Sequence, residues 1–205
     1  MKIIFATHNK HKLAEIRDML KNQFELIGLS EINYDKEIPE DYDTLEGNAL
    51  QKARIIFSSV NTSNVTEDKG IACFADDTGL EVEALNGAPG VFSARYSGTI
   101  FENEKERSLS NIKKLLEELR EKKSRKARFR TAIAYVSHNQ EIIFEGIVNG
   151  TIIDEMRGTE GFGYDSVFVP DGYTKTFAEL SMQEKSNISH RAIAFNKLVA
   201  YLLSK

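Results

Sequence analysis

Residues 1–20 read MKIIFATHNKHKLAEIRDML, and this stretch decides the fold class. Lys2 to Ala6 is a short apolar run of the kind found in buried strands. Thr7-His8-Asn9-Lys10 interrupts it with polar groups, and Leu13, Ile16, Met19 and Leu20 then recur at helical spacing. Strand, polar turn and helix in succession open an α/β arrangement.

The pattern continues outward from this unit. Thr44 is placed to cap a helix on which Leu45, Ala49, Leu50, Ala53, Ile56, Phe57 and Val60 share one face. Ile71 to Ala75 reads as an interior strand that ends in a turn at Asp76-Asp77-Thr78-Gly79, with a further strand over Leu80 to Ala84. Asn86-Gly87-Ala88-Pro89-Gly90 is a turn or loop. A helix is expected from about Asn103 to Leu119, carrying Leu109, Ile112, Leu115 and Leu116. Phe129 to Val136 and Glu141 to Val148 flank Ser137-His138-Asn139-Gln140 as a hairpin. A glycine-rich loop over Gly158 to Gly163 precedes a short strand at Val167 to Val169, and a last helix begins near Ser189 to Arg191 and carries Phe195, Leu198, Val199 and Leu202. The expectation is a single α/β domain over residues 1–205, built on a mixed sheet with flanking helices.

Composition narrows the function classes. The chain has 205 residues, 27 Lys plus Arg against 31 Asp plus Glu, and 41% apolar residues, which places it among ordinary globular proteins rather than disordered or collagenous ones. One cysteine, Cys73, cannot close an intrachain disulfide and points to a reducing compartment, the cytoplasm. The apolar opening is too short for a signal-peptide core, and no run approaches the ~18 apolar residues of a membrane span. A net charge of −4 offers no general attraction to a nucleic-acid polymer or an anionic membrane. An anionic substrate must therefore be caught by a local cluster of cations.

Five segments carry chemistry. Thr7-His8-Asn9-Lys10-His11-Lys12 joins a strand to a helix, so helix amides and two lysines form a site for phosphate oxygens, with a solvated turn as the alternative. Asp76-Asp77 at the end of an apolar strand offers oxygen ligands suited to Mg2+, with an Asx-turn closed by Gly79 as the alternative. Adjacent strand residues point to opposite sides, so one of the two carboxylates leads into a given cleft while the other orients the backbone. In the acidic segment Asp35 to Glu46, the charges at Glu37, Glu40, Asp41 and Asp43 read as solvated; Glu46 differs by standing at a helix start, where it complements the dipole or turns to a metal. Gly158 to Asp165 lets the backbone approach a ligand closely while Phe162 or Tyr164 offers a stacking face for a nucleobase. Glu184 to Arg191 places a lysine and a His-Arg pair around a helix start, and a charged connector with Ser189 as N-cap is the alternative.

Thr7 to Lys12, Thr44 to Ala53, Ala75 to Leu80, Gly87-Ala88-Pro89-Gly90-Val91-Phe92-Ser93-Ala94-Arg95-Tyr96, Gly161 to Asp165, and Glu184-Lys185-Ser186 with Ser189-His190-Arg191 occur in one order. Together they resemble the inosine/xanthosine triphosphate pyrophosphatase family, from residue 3 to about residue 200. The resemblance implies two lobes around a nucleotide-binding cleft, and a homodimeric, Mg2+-dependent enzyme that removes ITP, dITP and XTP from the nucleotide pool. It places Thr7, His8, Asn9, Lys10, His11 and Lys12 on the triphosphate and Thr78 beside the substrate. Asp77 becomes the general base and a metal ligand. Phe162, Gly163, Tyr164, Asp165, Lys185, His190 and Arg191 fall on base and substrate recognition. Members often carry a metal-associated Glu immediately before the Asn-Ala pair; here Gly47 holds that place, and Glu46 is the nearest carboxylate offered to the metal. A purine nucleotide-sensing module without turnover, or an Mg2+-dependent phosphatase releasing orthophosphate, would use the same residues.

Overall fold

The computed structural model describes residues 2–20, 24–62, 71–99, 101 and 103–204. In chain order the regular elements are β1 (Lys2–Phe5), α1 (Lys10–Leu20), β2 (Glu25–Gly28), α2 (Leu45–Thr62), β3 (Ala72–Val82), β4 (Pro89–Gly90), α3 (Glu104–Glu118), β5 (Lys126–Val136), β6 (Glu141–Ile152), β7 (Phe168–Pro170), α4 (Met182–Ile188) and α5 (His190–Leu203). The strands form one mixed sheet in the order β2-β1-β3-β5-β6-β7, with β4 paired to β3 off that path. β1 runs parallel to both β2 and β3, aligning Ile3 with Leu26 and Ala72, whereas β4 is antiparallel to β3 and β7 antiparallel to β6. The α/β class and the mixed sheet expected from the sequence are what the chain adopts.

The chain divides into two compact units, one comprising Met1–Asp77, Thr131–Glu145 and Ala194–Lys205, the other Thr78–Arg130 and Gly146–Ile193. The first unit is built around Ile3, Phe5, Ile16, Leu20, Phe74, Phe195 and Leu198. Phe5 and Phe74, on neighbouring parallel strands, stack with ring centroids 4.5 Å apart, and Phe195 of α5 packs on Phe74 at 5.8 Å. The second unit is built around Leu80, Val82, Ile112, Leu115, Phe129, Phe168 and Phe177, with Phe129 edge-on to Phe168 at 4.7 Å. Each buried aromatic of this kind contributes roughly 1.5–3 kcal/mol of transfer free energy.

Helix boundaries follow side-chain caps. α3 starts where the Asn103 side chain accepts the Glu106 amide, and α2 where Thr44 Oγ1 accepts the Gly47 amide at 3.1 Å. α4 is a helix beyond those expected from the sequence: Ser181 and Glu184 form a reciprocal capping box at its start.

The largest departure concerns Asp76 to Gly79. No turn interrupts the chain there, and β3 runs unbroken through 11 residues. Two charges can sit in a buried strand because each is paired, and Gly79 serves close packing rather than reversal: a Cβ on it would stand 2.6 Å from the Gly90 carbonyl oxygen. The strand thus carries Asp77 at the end of one unit's segment and Thr78 at the start of the other's.

Candidate active site

In the first unit, α2 brings buried polar groups into an apolar stripe. Leu45, Asn48, Ala49, Lys52, Ala53 and Ile56 are all buried, and their spacing is that of one helix face. Asn48 and Lys52 therefore face inward among alkyl side chains. Lys52 Nζ donates to Oε1 of Glu40 at 2.7 Å and to Oδ1 of Asp77 at 3.0 Å. Asn48 Nδ2 donates to Oδ2 of Asp77 at 3.3 Å. Beside them, Lys12 Nζ lies 2.9 Å from each carboxylate oxygen of Asp76. Asp76 and Asp77 thus take separate lysines, as opposite-facing neighbours on a strand should.

Electrostatics here are those of two ammonium groups among three carboxylates. Burial pushes the Asp77 carboxyl up from its ordinary value and Glu40 adds to the rise, against opposing pulls from Lys52 and Lys12. Burial works against the Lys52 ammonium, but Asp77, Glu40 and Asp76 together outweigh it and hold the group charged.

This overturns one expectation: Glu40 is not a solvated loop charge but a direct partner of Lys52. Lys52 and Asn48 were not read as site residues either. The signal existed, because two polar residues stand at apolar-stripe positions of the clearest helix in the chain, and a buried lysine demands a carboxylate.

The 7–12 turn is more self-contained than a bare phosphate cradle. Thr7 Oγ1 accepts the Asn9 amide at 3.2 Å, and Asn9 Oδ1 accepts the His11 and Lys12 amides at 2.8 and 3.1 Å. Two first-turn amides of α1 are therefore spent on the cap, contrary to their expected use on phosphate. His8 Nε2 contacts the Lys36 carbonyl at 2.9 Å and its ring lies against Tyr34. Lys10 is exposed and Lys12 partly buried, so the side-chain cations are the turn's strongest offer to an anion.

Glu46 lies half-buried in the first turn of α2. A Cβ at Gly47 would meet Tyr42 Cβ at 2.7 Å and Thr44 Oγ1 at 2.9 Å, which excludes a side chain there. Among the described residues no group of three His, Cys, Asp or Glu side chains converges as a metal cage. Mg2+ does not require one, since it is commonly held by one or two carboxylates with water and substrate phosphate completing the shell. The all-oxygen donors and the excess of carboxylates over ammonium groups around Asp77 suit such a hard cation.

In the second unit, Asp165 Oδ2 accepts both Lys185 Nζ at 2.8 Å and the Phe162 amide at 2.9 Å. The Phe162 ring receives Lys185 Nζ at 5.2 Å and the Arg191 guanidinium at 5.5 Å, and Arg191 Nη2 reaches Thr78 Oγ1 at 3.4 Å. His190 stacks on Phe129 at 4.7 Å with an interplanar angle of 23°. Gly161 has φ 76° and a Cβ on it would fall 2.2 Å from Asp165 Oδ2, so glycine is needed for the loop to wrap this carboxylate. Phe162, Asp165, Lys185, Arg191 and Thr78 are thus neighbours in the structure. Tyr164 is not a stacking face: it is buried, its OH donates to the Ser93 carbonyl at 2.9 Å, and burial pushes its phenol up so that it stays a donor.

Residues 3–201 match the model of the Ham1 family. The dITP/XTP pyrophosphatase of Porphyromonas gingivalis is 49% identical over 203 residues, spanning 98% of this chain and 97% of its own length. That of Christiangramia forsetii is 46% identical over 202 residues, spanning 98% and 99%. Among solved structures, the Staphylococcus aureus Ham1 protein superposes with a TM-score of 0.83 at 35% identity, over 100% of this chain and 99% of its own. The nucleoside-triphosphatase, dITP/XTP pyrophosphatase, of Mycobacterium abscessus does so with a TM-score of 0.72 at 40% identity, over 97% and 98%.

Replacing Lys52 with Met should destabilise the protein by about 3–5 kcal/mol, because two carboxylates lose their shared ammonium in a buried setting. Adding Asp77→Asn should recover part of that loss. Urea unfolding measures both; a Lys52→Met change within ~0.5 kcal/mol of the parent would show the pair to be solvated.

Proposed function

The chain belongs to the Ham1 family, and from that premise we propose that it hydrolyses dITP, ITP and XTP to the nucleoside monophosphate and pyrophosphate. Residues 1–205 act as one catalytic domain. The observation that carries the chemistry is the buried Asp77 carboxylate held by Lys52 and Asn48. A carboxyl raised by burial is a stronger base than one in water. Asp77 takes the proton of the water that attacks the α-phosphorus, and the bond from that phosphorus to the pyrophosphate oxygen breaks. Lys10 and Lys12 lie with the triphosphate and stabilise the charge that the leaving pyrophosphate acquires. Thr7, His8, Asn9 and His11 shape the turn that presents them. A bound Mg2+, held by Asp77 with Glu46 as second carboxylate, would neutralise charge on the phosphate oxygens.

Base recognition falls to the second unit. Phe162 supplies the ring face, Gly163 the close approach of backbone, and Lys185, His190 and Arg191 the donors. A 6-keto purine presents an acceptor at O6, which Lys185 or Arg191 bonds. Adenine presents an amino donor there, and donor facing donor costs about 1–3 kcal/mol for each neutral group left unpaired. Asp165 acts by keeping Lys185 and Phe162 in register.

Purified protein incubated with dITP, ITP, XTP, GTP and ATP, with and without Mg2+, should release monophosphate and pyrophosphate in equal amounts from the first three. A diphosphate with orthophosphate would make it a phosphatase, and tight binding without turnover a sensor. Asp77→Asn should lower turnover by about two orders of magnitude or more with an unchanged circular dichroism spectrum; near-parental turnover removes Asp77 from the reaction.

Glu46→Gln should raise the Mg2+ concentration needed for half activity, whereas Glu37→Gln, at an exposed position of the same acidic segment, should not. Glu40 is unsuitable as that control because it bonds Lys52. Equal responses return Glu46 to a helix-start role.

The working form is a cytoplasmic homodimer. Among the described residues no helix is long and apolar enough to cross a membrane. Sedimentation equilibrium at micromolar concentration should give twice the chain mass, and a monomer there rejects the dimer.

A further inference from the structure

Asn48 is fully buried, and both ends of its side-chain amide are committed. Its Oδ1 accepts the backbone amide of Tyr42 at 2.9 Å, and its Nδ2 donates to Oδ2 of Asp77 at 3.3 Å. The orientation is forced: Tyr42 N–H can only donate, so the oxygen must face it, which leaves the NH2 for the carboxylate. A flipped amide would set donor against donor and oxygen against oxygen.

Three successive residues of the preceding segment grip α2. Glu40 is held by Lys52 at 2.7 Å, the Asp41 amide by Gln51 Oε1 at 3.0 Å with a return bond from Gln51 Nε2 to Asp41 Oδ2 at 2.6 Å, and the Tyr42 amide by Asn48. Two of these three grips continue to Asp77, through Lys52 to Oδ1 and through Asn48 to Oδ2. The Gln51 grip stops at Asp41. The terminal carboxylate torsion of an Asp is broad when free, so one donor on each oxygen is what fixes its plane.

We propose that Asn48 is a positioning residue: its carboxamide, oriented by the Tyr42 amide, fixes the carboxylate plane of Asp77, so that the lone pairs not taken by Lys52 and Asn48 present a defined direction to the water. The inference rests on the reading of Asp77 as the base. Asn48 tests it more cleanly than Lys52 does, because Asn48→Leu strands no charge; Asn48→Asp adds a carboxylate opposite Asp77, so a kcat loss confined to Asn48→Asp overturns the proposal.

The experiment compares the parent with Asn48→Asp, Asn48→Leu and Gln51→Ala. It measures kcat and KM for XTP, circular dichroism, and hydrogen exchange at the Tyr42 amide. Asn48→Asp keeps the acceptor for Tyr42 and loses the donor to Asp77. It should retain Tyr42 protection and lose about 10-fold or more in kcat, with KM changed by no more than about 3-fold. Asn48→Leu should lose both the protection and the turnover. Gln51→Ala should weaken the segment and stay within about 2-fold of parental kcat. Parental kcat in Asn48→Asp overturns the proposal, as does an equal kcat loss in Gln51→Ala, which would assign the effect to the segment itself. Should Asn48→Asp not fold, Asn48→Leu decides alone, its kcat loss at near-constant KM supporting the proposal and parental kcat overturning it. If the parent releases no pyrophosphate from XTP, the proposed function fails first, and Tyr42 exchange still reads whether the Asn48 bridge exists.

Discussion

A single ammonium group, Nζ of Lys52, holds the polar end of the first unit together. It stands 2.7 Å from Glu40 and 3.0 Å from Asp77, with its side chain 9% exposed. Each of those ions, taken from water alone, would lose several kcal/mol of hydration. Their mutual attraction returns that loss because the separations are those of direct hydrogen bonds. The arrangement explains three features at once: β3 can carry Asp77 through a buried position, the acidic segment at Glu40 lies down on α2 rather than extending into water, and Lys52 remains charged inside an apolar stripe.

This cluster is not what a stability argument alone would select. Replacing a buried ion group with well-packed alkyl side chains is often neutral or favourable. Here three carboxylates share two ammonium groups, and Asp77 is left with a carboxyl raised by burial and by Glu40. A residual negative charge on a buried carboxylate is costly in the isolated chain, and such perturbed groups cluster at functional sites. The second unit solves a different problem: Asp165 and Lys185 neutralise each other at 2.8 Å, leaving Arg191 and Lys185 over one aromatic face.

Hydrophobic spacing made much of the fold legible. α2 and α3 begin where Thr44 and Asn103 predicted, because a cap and an apolar stripe are both local signals. β2 escaped notice because Glu25–Gly28 is four residues long, too short for a clear period. Asp76-Asp77-Thr78-Gly79 misled for a different reason: four residues that favour turns in isolation were held in a strand by partners 64 and 25 residues away, Lys12 and Lys52. Burial of a charge is a tertiary fact, and local propensity carries no trace of it. Glu40 misleads for the same reason, since it reads as a solvent group until Lys52 is placed beside it. Tyr164 shows the converse, an aromatic beside three glycines whose hydroxyl found a buried carbonyl and whose ring joined the core.

Gly47 draws these strands into one constraint. A side chain at this position would collide with Tyr42, and Tyr42 cannot simply move aside because its amide is the donor that orients Asn48. Asn48 in turn bonds the carboxylate that Lys52 also holds. Glycine at 47 is therefore tied to the seating of the 40–42 segment and, through Asn48, to Asp77. A chain with glutamate at this position would need Tyr42, or whatever replaced it, to take another path over the helix start. Glycine at 47 is then a property of the whole corner formed by Tyr42, Thr44, Gly47 and Asn48. Glu46, one step of about 100° around the helix from Gly47, is half-buried in the same first turn, clear of the contact that closes position 47 to a side chain.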